Sequence, residues 1–194
     1  MQKPILAWMN CYGSWAPELR QPIETIGYNE YLNAVVDALV VLKDRVEVLY
    51  VSGGMYDQNG KTECETTIPE LIKRLQAKGV TSLEIIADEK SVTSITIVKT
   101  FLTVWQEKYQ DHLPILFTDE ARYATNAYTL RYFSDKFGLQ IPPIGEILIP
   151  IPRKDCHQNS TPEKQAEKLR LLKEQGVEEV ERMEMDARKE HLKS

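Results

Sequence analysis

Short apolar runs alternate with stretches of helical periodicity up to about residue 152, and this alternation restricts the fold more than any other feature. The runs are too short for helices and end in polar or glycine-containing turns. Strands and helices in strict alternation form a parallel sheet with helices on both faces. We therefore predict an α/β fold with a mostly parallel sheet. The predicted strands cover residues 5–9, 46–51, 82–87 and 114–117, with further extended pieces within 139–152.

The stretches between these runs predict helices from the spacing of their apolar residues. The second is expected to begin near a cap at Thr66 or Thr67, because proline is tolerated in a first helical turn and Pro69 follows. Gly79 is expected to end it. The predicted helices cover residues 28–42 and 69–76, a stretch that ends near residue 109 and another that ends near residue 137.

Composition excludes several classes of protein. The net charge of −5 argues against a nucleic-acid binder, because no basic field is present to gather phosphates. Three scattered cysteines predict neither a disulfide framework nor a zinc site. No run approaches the roughly 18 apolar residues of a membrane span, and the first residues lack the layout of a secretion signal. We expect a cytoplasmic protein with no bound metal and no membrane or nucleic-acid partner.

Residues 153–194 differ in composition from the preceding domain, residues 1–152. Ten Lys/Arg and ten Asp/Glu make the segment neutral, so the preceding domain carries the whole net charge of −5. Ser160 and Pro162 predict a capped helix, and Gly176 is expected to separate it from a second one. We predict a charged helical C-terminal extension that packs on the domain or on a second subunit, which leaves a homo-oligomer open.

Polar residues and glycines gather where the predicted strands end. In an open parallel sheet, ligands bind beyond the carboxyl ends of the strands, where backbone amides and helix N-termini face an anion. Loops of this class are always polar, yet four clusters at one edge of the sheet favour a small-molecule site. The predicted ligand-binding residues are Asn10, Gly13, Ser14, Ser52, Gly53, Gly54, Glu63, Ser91, Ser94, Thr118 and Arg122, and the candidate acid–base groups are Asp88, Asp119 and Glu120.

The sequence Gly-Lys-Thr at residues 60–62 resembles the end of an NTPase phosphate-binding loop. That loop has four residues between its first glycine and the Gly-Lys-Thr, whereas five separate Gly54 from Gly60 here. The expected helix start near Thr66 also places Lys61 away from a helix N-terminus. We interpret this motif as incidental. The anion-binding role is assigned to the Ser-Gly-Gly turn at residues 52–54, because glycine can leave backbone N–H groups open to a ligand.

Three stretches in this order, VLYVSGG, IIADEKSVTS and ILFTDEARYATNA, resemble the YdcF-like family, which includes SanA- and ElyC-type envelope proteins. The resemblance covers about residues 5–152 and implies a Rossmann-like three-layer sandwich with a pocket at the sheet edge. It also implies S-adenosylmethionine as a candidate ligand, since a cytosolic member has been associated with that compound. The family positions fall on Ser52, Gly53, Gly54, Asp88, Ser91, Ser94 and Thr118.

The chain departs from the family pattern at two places. Thr96 and Ile97 stand where the family usually carries Glu-Asn, and Arg122 and Thr125 stand at its usual His and Arg. Arg122 could bind a phosphate or carboxylate together with the neighbouring acids, or it could simply pair with those acids. Two hypotheses follow. The protein binds a nucleotide-like or phosphorylated small molecule, as an enzyme or a binder, or it is a degenerate member that serves as an interaction module.

Overall fold

The computed structural model describes residues 3–11, 13, 22–57, 59–152 and 161–191. Its sheet has five strands in the order β3-β2-β1-β4-β5, and every neighbouring pair is parallel. The predicted parallel α/β architecture is therefore confirmed. The strands are β1 (Ile5–Asn10), β2 (Val46–Ser52), β3 (Glu84–Asp88), β4 (Leu113–Asp119) and β5 (Leu148–Ile151).

Helices cover both faces of this sheet, which gives three layers and a Rossmann-like fold. One hydrophobic core lies between the sheet and the first two helices, and a second lies between the sheet and the later helices. A parallel sheet needs this double cover because both of its faces are apolar. The helices are α1 (Pro22–Val41), α2 (Glu63–Ala77), α3 (Ser94–Lys108), α4 (Tyr123–Phe137), α5 (Ile144–Ile147), α6 (Pro162–Glu174) and α7 (Val177–His191), with a 3₁₀ turn at Glu120–Arg122.

Alternate residues of β1 face opposite cores. Ala7 and Met9 belong to the core under α1 and α2, whereas Leu6 and Trp8 belong to the core under α3. All six residues of the strand are buried. Because side chains alternate along a strand, the polar residue Asn10 lies on the α3 side, next in line after Trp8.

Helix α2 begins earlier than the sequence predicts. Thr62, not Thr66 or Thr67, is the N-cap, and it forms a reciprocal capping box with Glu65. Pro69 consequently lies inside the helix rather than in its first turn. Proline removes one intrahelical hydrogen bond, whereas the capping box satisfies two backbone amides at the start. The cap therefore decides where the helix begins, and the predicted start was wrong.

The region 139–152 also differs from expectation. One of the extended pieces predicted there is strand β5, but the short helix α5 directly precedes it where a further extended piece was expected. Ile144 and Ile147 of this helix are buried. These two side chains are three residues apart, so a single helical turn places both on one side. In an extended segment they would point in opposite directions.

The C-terminal helices pack on the domain. Gly176 separates α6 from α7, as predicted, and its φ is 91°. Leu172, Val177 and Val180 belong to the same core as residues of α3 and α4. Contacts join α6 to α4 and α7 to α3. No helix in the described parts of the chain is both long enough and apolar enough to cross a membrane.

Replacing Leu172 with alanine tests whether α6 is part of the core. Leu172 is fully buried, so we expect the free energy of unfolding to fall by about 2–5 kcal/mol in urea titrations. Met183→Ala is the control, because Met183 lies in the same helical pair and is 42% exposed. Equal, small effects of the two substitutions would show that the helical pair does not contribute to the core.

Candidate functional site

The strand order reverses between the adjacent strands β1 and β4, which lead to helices on opposite faces of the sheet, α1 and α4. In open α/β sheets the loops that follow such neighbouring strands diverge and leave a crevice at their carboxyl ends. Asn10 ends β1 and the 3₁₀ turn at Glu120–Arg122 follows β4, so both lie beside this crevice. The topology therefore marks, as the candidate site, the same edge of the sheet that the sequence predicts.

A cavity of about 170 Å³ lies at this edge, and we call it the rim cavity. It brings together six predicted ligand-binding residues that come from four different segments of the chain. Ser14, a seventh, lies outside the described residues. The six are Asn10, Gly13, Glu63, Ser91, Ser94 and Arg122.

Asn10 is the most informative of these residues. Its side chain is 3% exposed, and its Oδ1 atom has no hydrogen-bond partner among the described residues. A buried amide oxygen without a partner costs about 1–3 kcal/mol. Because Asn10 lines the rim cavity, a donor group on a ligand would remove this cost.

Three other predicted residues lie at or next to the last position of their strands but do not line the rim cavity. The Ser52 hydroxyl accepts a hydrogen bond from the indole Nε1 of Trp8. The Thr118 hydroxyl accepts one from the Asn126 amide at 2.7 Å. The Asp88 carboxylate accepts the amides of Lys90 and Ser91, both at 3.1 Å. Their hydrogen bonds hold the strand ends and the following loops in place.

The Ser-Gly-Gly turn does not present its glycine amides to a ligand, and this part of the prediction was wrong. The Gly53 amide donates to the Asp88 carbonyl at 3.0 Å, and the Gly54 amide donates to the Ser91 carbonyl at 3.1 Å. A Cβ atom at Gly53 would lie 2.7 Å from the Cβ of Cys11. Glycine is needed here because the loops after β1, β2 and β3 approach one another closely.

The loop that contains Gly-Lys-Thr is organised around Asp57. One carboxylate oxygen accepts the amides of Asn59 at 2.8 Å and Lys61 at 3.0 Å, and the Asp57 carbonyl accepts the Gly60 amide at 3.0 Å. The helix start at Glu63 shows that Lys61 does lie beside a helix N-terminus, contrary to the prediction. The loop amides nevertheless bind the carboxylate of Asp57 where an NTPase loop would bind phosphate.

Two of the three candidate acid–base groups lie in another cavity. Asp119 and Glu120 line a cavity of about 480 Å³ between the 3₁₀ turn and α6. The Asp119 carboxylate also caps that turn, because it accepts the amides of Ala121 at 2.8 Å and Arg122 at 3.3 Å. Catalytic roles for Asp88, Asp119 and Glu120 stay predictions, and none of the three lines the rim cavity.

The C-terminal helices supply candidate site residues that the sequence did not predict. Arg188 of α7 lines the rim cavity together with Arg122. Lys168 of α6 donates a hydrogen bond to the Ser94 hydroxyl at 2.6 Å and forms a close ion pair with Glu184 of α7. These contacts join residues far apart in sequence, and no local motif marks them.

A larger cavity of about 680 Å³ lies between α3, α6 and α7, and we call it the helix cavity. Thr93, Ser94, Arg122 and Arg188 line both this cavity and the rim cavity. The two spaces therefore meet at a boundary formed by two hydroxyl groups and two guanidinium groups. This boundary lies at the N-terminus of α3, where the helix dipole favours negative charge.

Burial changes the proton affinity of three groups near the site. Burial lowers the pKa of the Lys168 ammonium, and Arg122 and Arg188 lower it further, while Glu184 acts in the opposite direction. Burial raises the pKa of the Cys11 thiol well above its ordinary value, assisted by Cys64 and Glu63, so this thiol is a poor nucleophile. Burial also raises the pKa of Tyr50, with the Asp88 charge adding to the shift.

Among the described residues, no group of three or more His, Cys, Asp or Glu side chains is arranged to hold a metal ion. Comparison of the chain with protein-family models, with curated proteins and with solved structures gave no match in any of the three. What the structure defines is therefore the class: a Rossmann-like α/β protein with a cavity at the carboxyl edge of its sheet.

Replacing Gly54 with alanine tests the packing of the strand-end loops. The new Cβ would lie 2.5 Å from the Glu89 carbonyl oxygen and 3.1 Å from that of Ser91, so we expect a loss of about 1–3 kcal/mol in the free energy of unfolding. Gly145→Ala is the matched control, because nothing lies within 4 Å of a Cβ there. Equal stability of the two variants in urea titrations would contradict the close approach.

Proposed function

We propose that this protein binds a small phosphorylated or nucleotide-like molecule at the rim cavity. The observation that carries the proposal is that two arginines, Arg122 and Arg188, line the same cavity as Asn10, whose buried amide oxygen has no partner among the described residues. A guanidinium group presents several donors in a plane and suits the oxygens of phosphate or carboxylate. The Asn10 oxygen suits a hydroxyl or amino group on the same ligand.

The position of α3 supports an anionic ligand. Its first residue, Ser94, and its N-cap, Thr93, line both cavities, so the positive end of a 15-residue helix faces the ligand. The overall charge of −5 would repel an anion. The basic residues at the boundary oppose that repulsion locally, where the ligand would bind.

We further propose that the chain is a divergent YdcF-like protein, with S-adenosylmethionine among its candidate ligands. Support comes from Ser91 and Ser94, which match family positions and line the rim cavity. In this proposal the Ser-Gly-Gly turn shapes the site through packing rather than by donating its amides. Arg122 occupies the usual position of the family histidine, so an anion-binding group replaces a proton-transfer group there. A cytoplasmic location stays a prediction.

A thermal-shift screen tests the binding proposal. We expect at least one of S-adenosylmethionine, nucleotides and sugar phosphates, with or without divalent metal ion, to raise the melting temperature. Arg122→Gln and Arg188→Gln should each weaken binding about tenfold or more, because a hydrogen bond to a charged group contributes about 1.5–3 kcal/mol. Arg131→Gln, an exposed arginine of α4, is the matched control and should leave the dissociation constant unchanged.

The opposite result favours the second hypothesis. If none of these compounds stabilises the folded protein, the binding proposal is wrong and an interaction module becomes the better reading. A further contradiction would be equal weakening by all three arginine substitutions, since that would indicate a general effect of charge rather than a site at the boundary of the two cavities.

A further inference from the structure

Lys168 of α6 is a largely buried lysine at the wall of a cavity. Only 14% of its side chain is exposed, although it lines the helix cavity. Its Nζ atom lies 2.6 Å from the Ser94 hydroxyl and is paired with the Glu184 carboxylate. Lysine is rarely buried without such partners, and this one is buried beside an open space large enough for a ligand.

Burial favours the neutral amine of Lys168, whereas the nearest charge, that of Glu184, favours the ammonium. Arg122 from the 3₁₀ turn and Arg188 from α7 repel the ammonium, Glu184 from α7 attracts it, and Ser94 from α3 is uncharged. Lys164, one turn earlier on α6, also lines the cavity. Burial and the two guanidinium groups together lower the pKa of Lys168 despite Glu184. A lysine in a desolvated site beside other cations is the usual form of an amine nucleophile.

We propose that Lys168 forms an imine with a small aldehyde or ketone that carries a carboxylate or phosphate group. The inference rests on the proposed anion binding at Arg122 and Arg188, because these residues would hold the anionic group of the carbonyl compound. Ser94 positions Nζ through its hydroxyl, and Glu184 is near enough to move protons. The helix cavity of about 680 Å³ accommodates a molecule of this class.

Lys168 and Glu184 supply every group that imine formation needs. Glu184 takes a proton from the ammonium, and the neutral Nζ adds to the carbonyl carbon while the carbonyl π electrons move to oxygen. A proton then passes from nitrogen to that oxygen, which gives a carbinolamine. Glu184 returns its proton to the hydroxyl group, the C–O bond breaks, water leaves and a protonated C=N bond forms. No oxidant, reductant or metal is needed.

Reductive trapping tests the proposal on the unmodified protein. The full chain is incubated with pyruvate, with glyceraldehyde 3-phosphate or with the neutral aldehyde propanal, each with cyanoborohydride, and the labelled lysines are mapped by peptide mass spectrometry. We expect Lys168 to be labelled at least tenfold faster than Lys164 by an anionic carbonyl compound. Lys164 is the internal control, since it lies on the same helix, lines the same cavity and has an exposed side chain.

The variants separate a reactive site from a structural ion pair. Arg188→Gln should lower the ratio of labelling by pyruvate to labelling by propanal, because it removes an anion-binding group, whereas Arg131→Gln should leave that ratio unchanged. The rate at Lys168 should reach its plateau at a lower pH than the rate of an ordinary lysine amine, because burial lowers the pKa of Lys168. Labelling of Lys168 no faster than Lys164 by either anionic compound would overturn the proposal, even if every variant folds normally.

The two proposals can fail separately. Stabilisation by a phosphate ligand that lacks a carbonyl group, together with no preferential labelling of Lys168, would retain the binding function and reject imine formation. Preferential labelling by an anionic carbonyl compound, without stabilisation by any compound of the thermal-shift screen, would instead support the imine site and restrict the ligand to carbonyl compounds.

Discussion

Strand β1 is buried along its whole length, and this burial determines how the other layers are arranged. All six of its residues are buried, and both of its edges are paired with parallel strands. A strand in this position needs apolar cover on both faces, which α1 and α2 provide on one side and α3 and α4 on the other. Strand β1 also lies next to the point where the strand order reverses. The strand at the centre of the core therefore also borders the rim cavity.

The strands and the layer order could be predicted because they depend on local apolar runs and on general rules for parallel sheets. The start of α2 could not, since the proline rule and the capping rule gave different answers. Pro69 favoured a late start, but the reciprocal bonds between Thr62 and Glu65 outweigh the single bond that the proline removes. The capping rule and the proline rule are of similar strength at the start of α2, and the sequence pattern does not show which of them decides it.

The candidate site was predictable only in part, for a similar reason. Asn10, Ser91 and Ser94 could be found because strand ends and helix starts are local features. Lys168 lies 74 residues from Ser94 in sequence, and its role depends on how α6 packs on the domain. The glycine amides were misjudged because their acceptors are carbonyls of a neighbouring loop, and a glycine motif does not reveal what lies opposite it.

Three aspartates near the strand ends are held by backbone amides of their own loops. Asp57, Asp88 and Asp119 each accept two backbone amides, so these carboxylates serve as internal anions that fix the loops after β2, β3 and β4. The neutral C-terminal segment then contributes Lys168 and Arg188 from outside the sheet. Arg122 and Arg188 therefore line the boundary of the two cavities, although glutamates such as Glu63 and Glu184 line the same cavities.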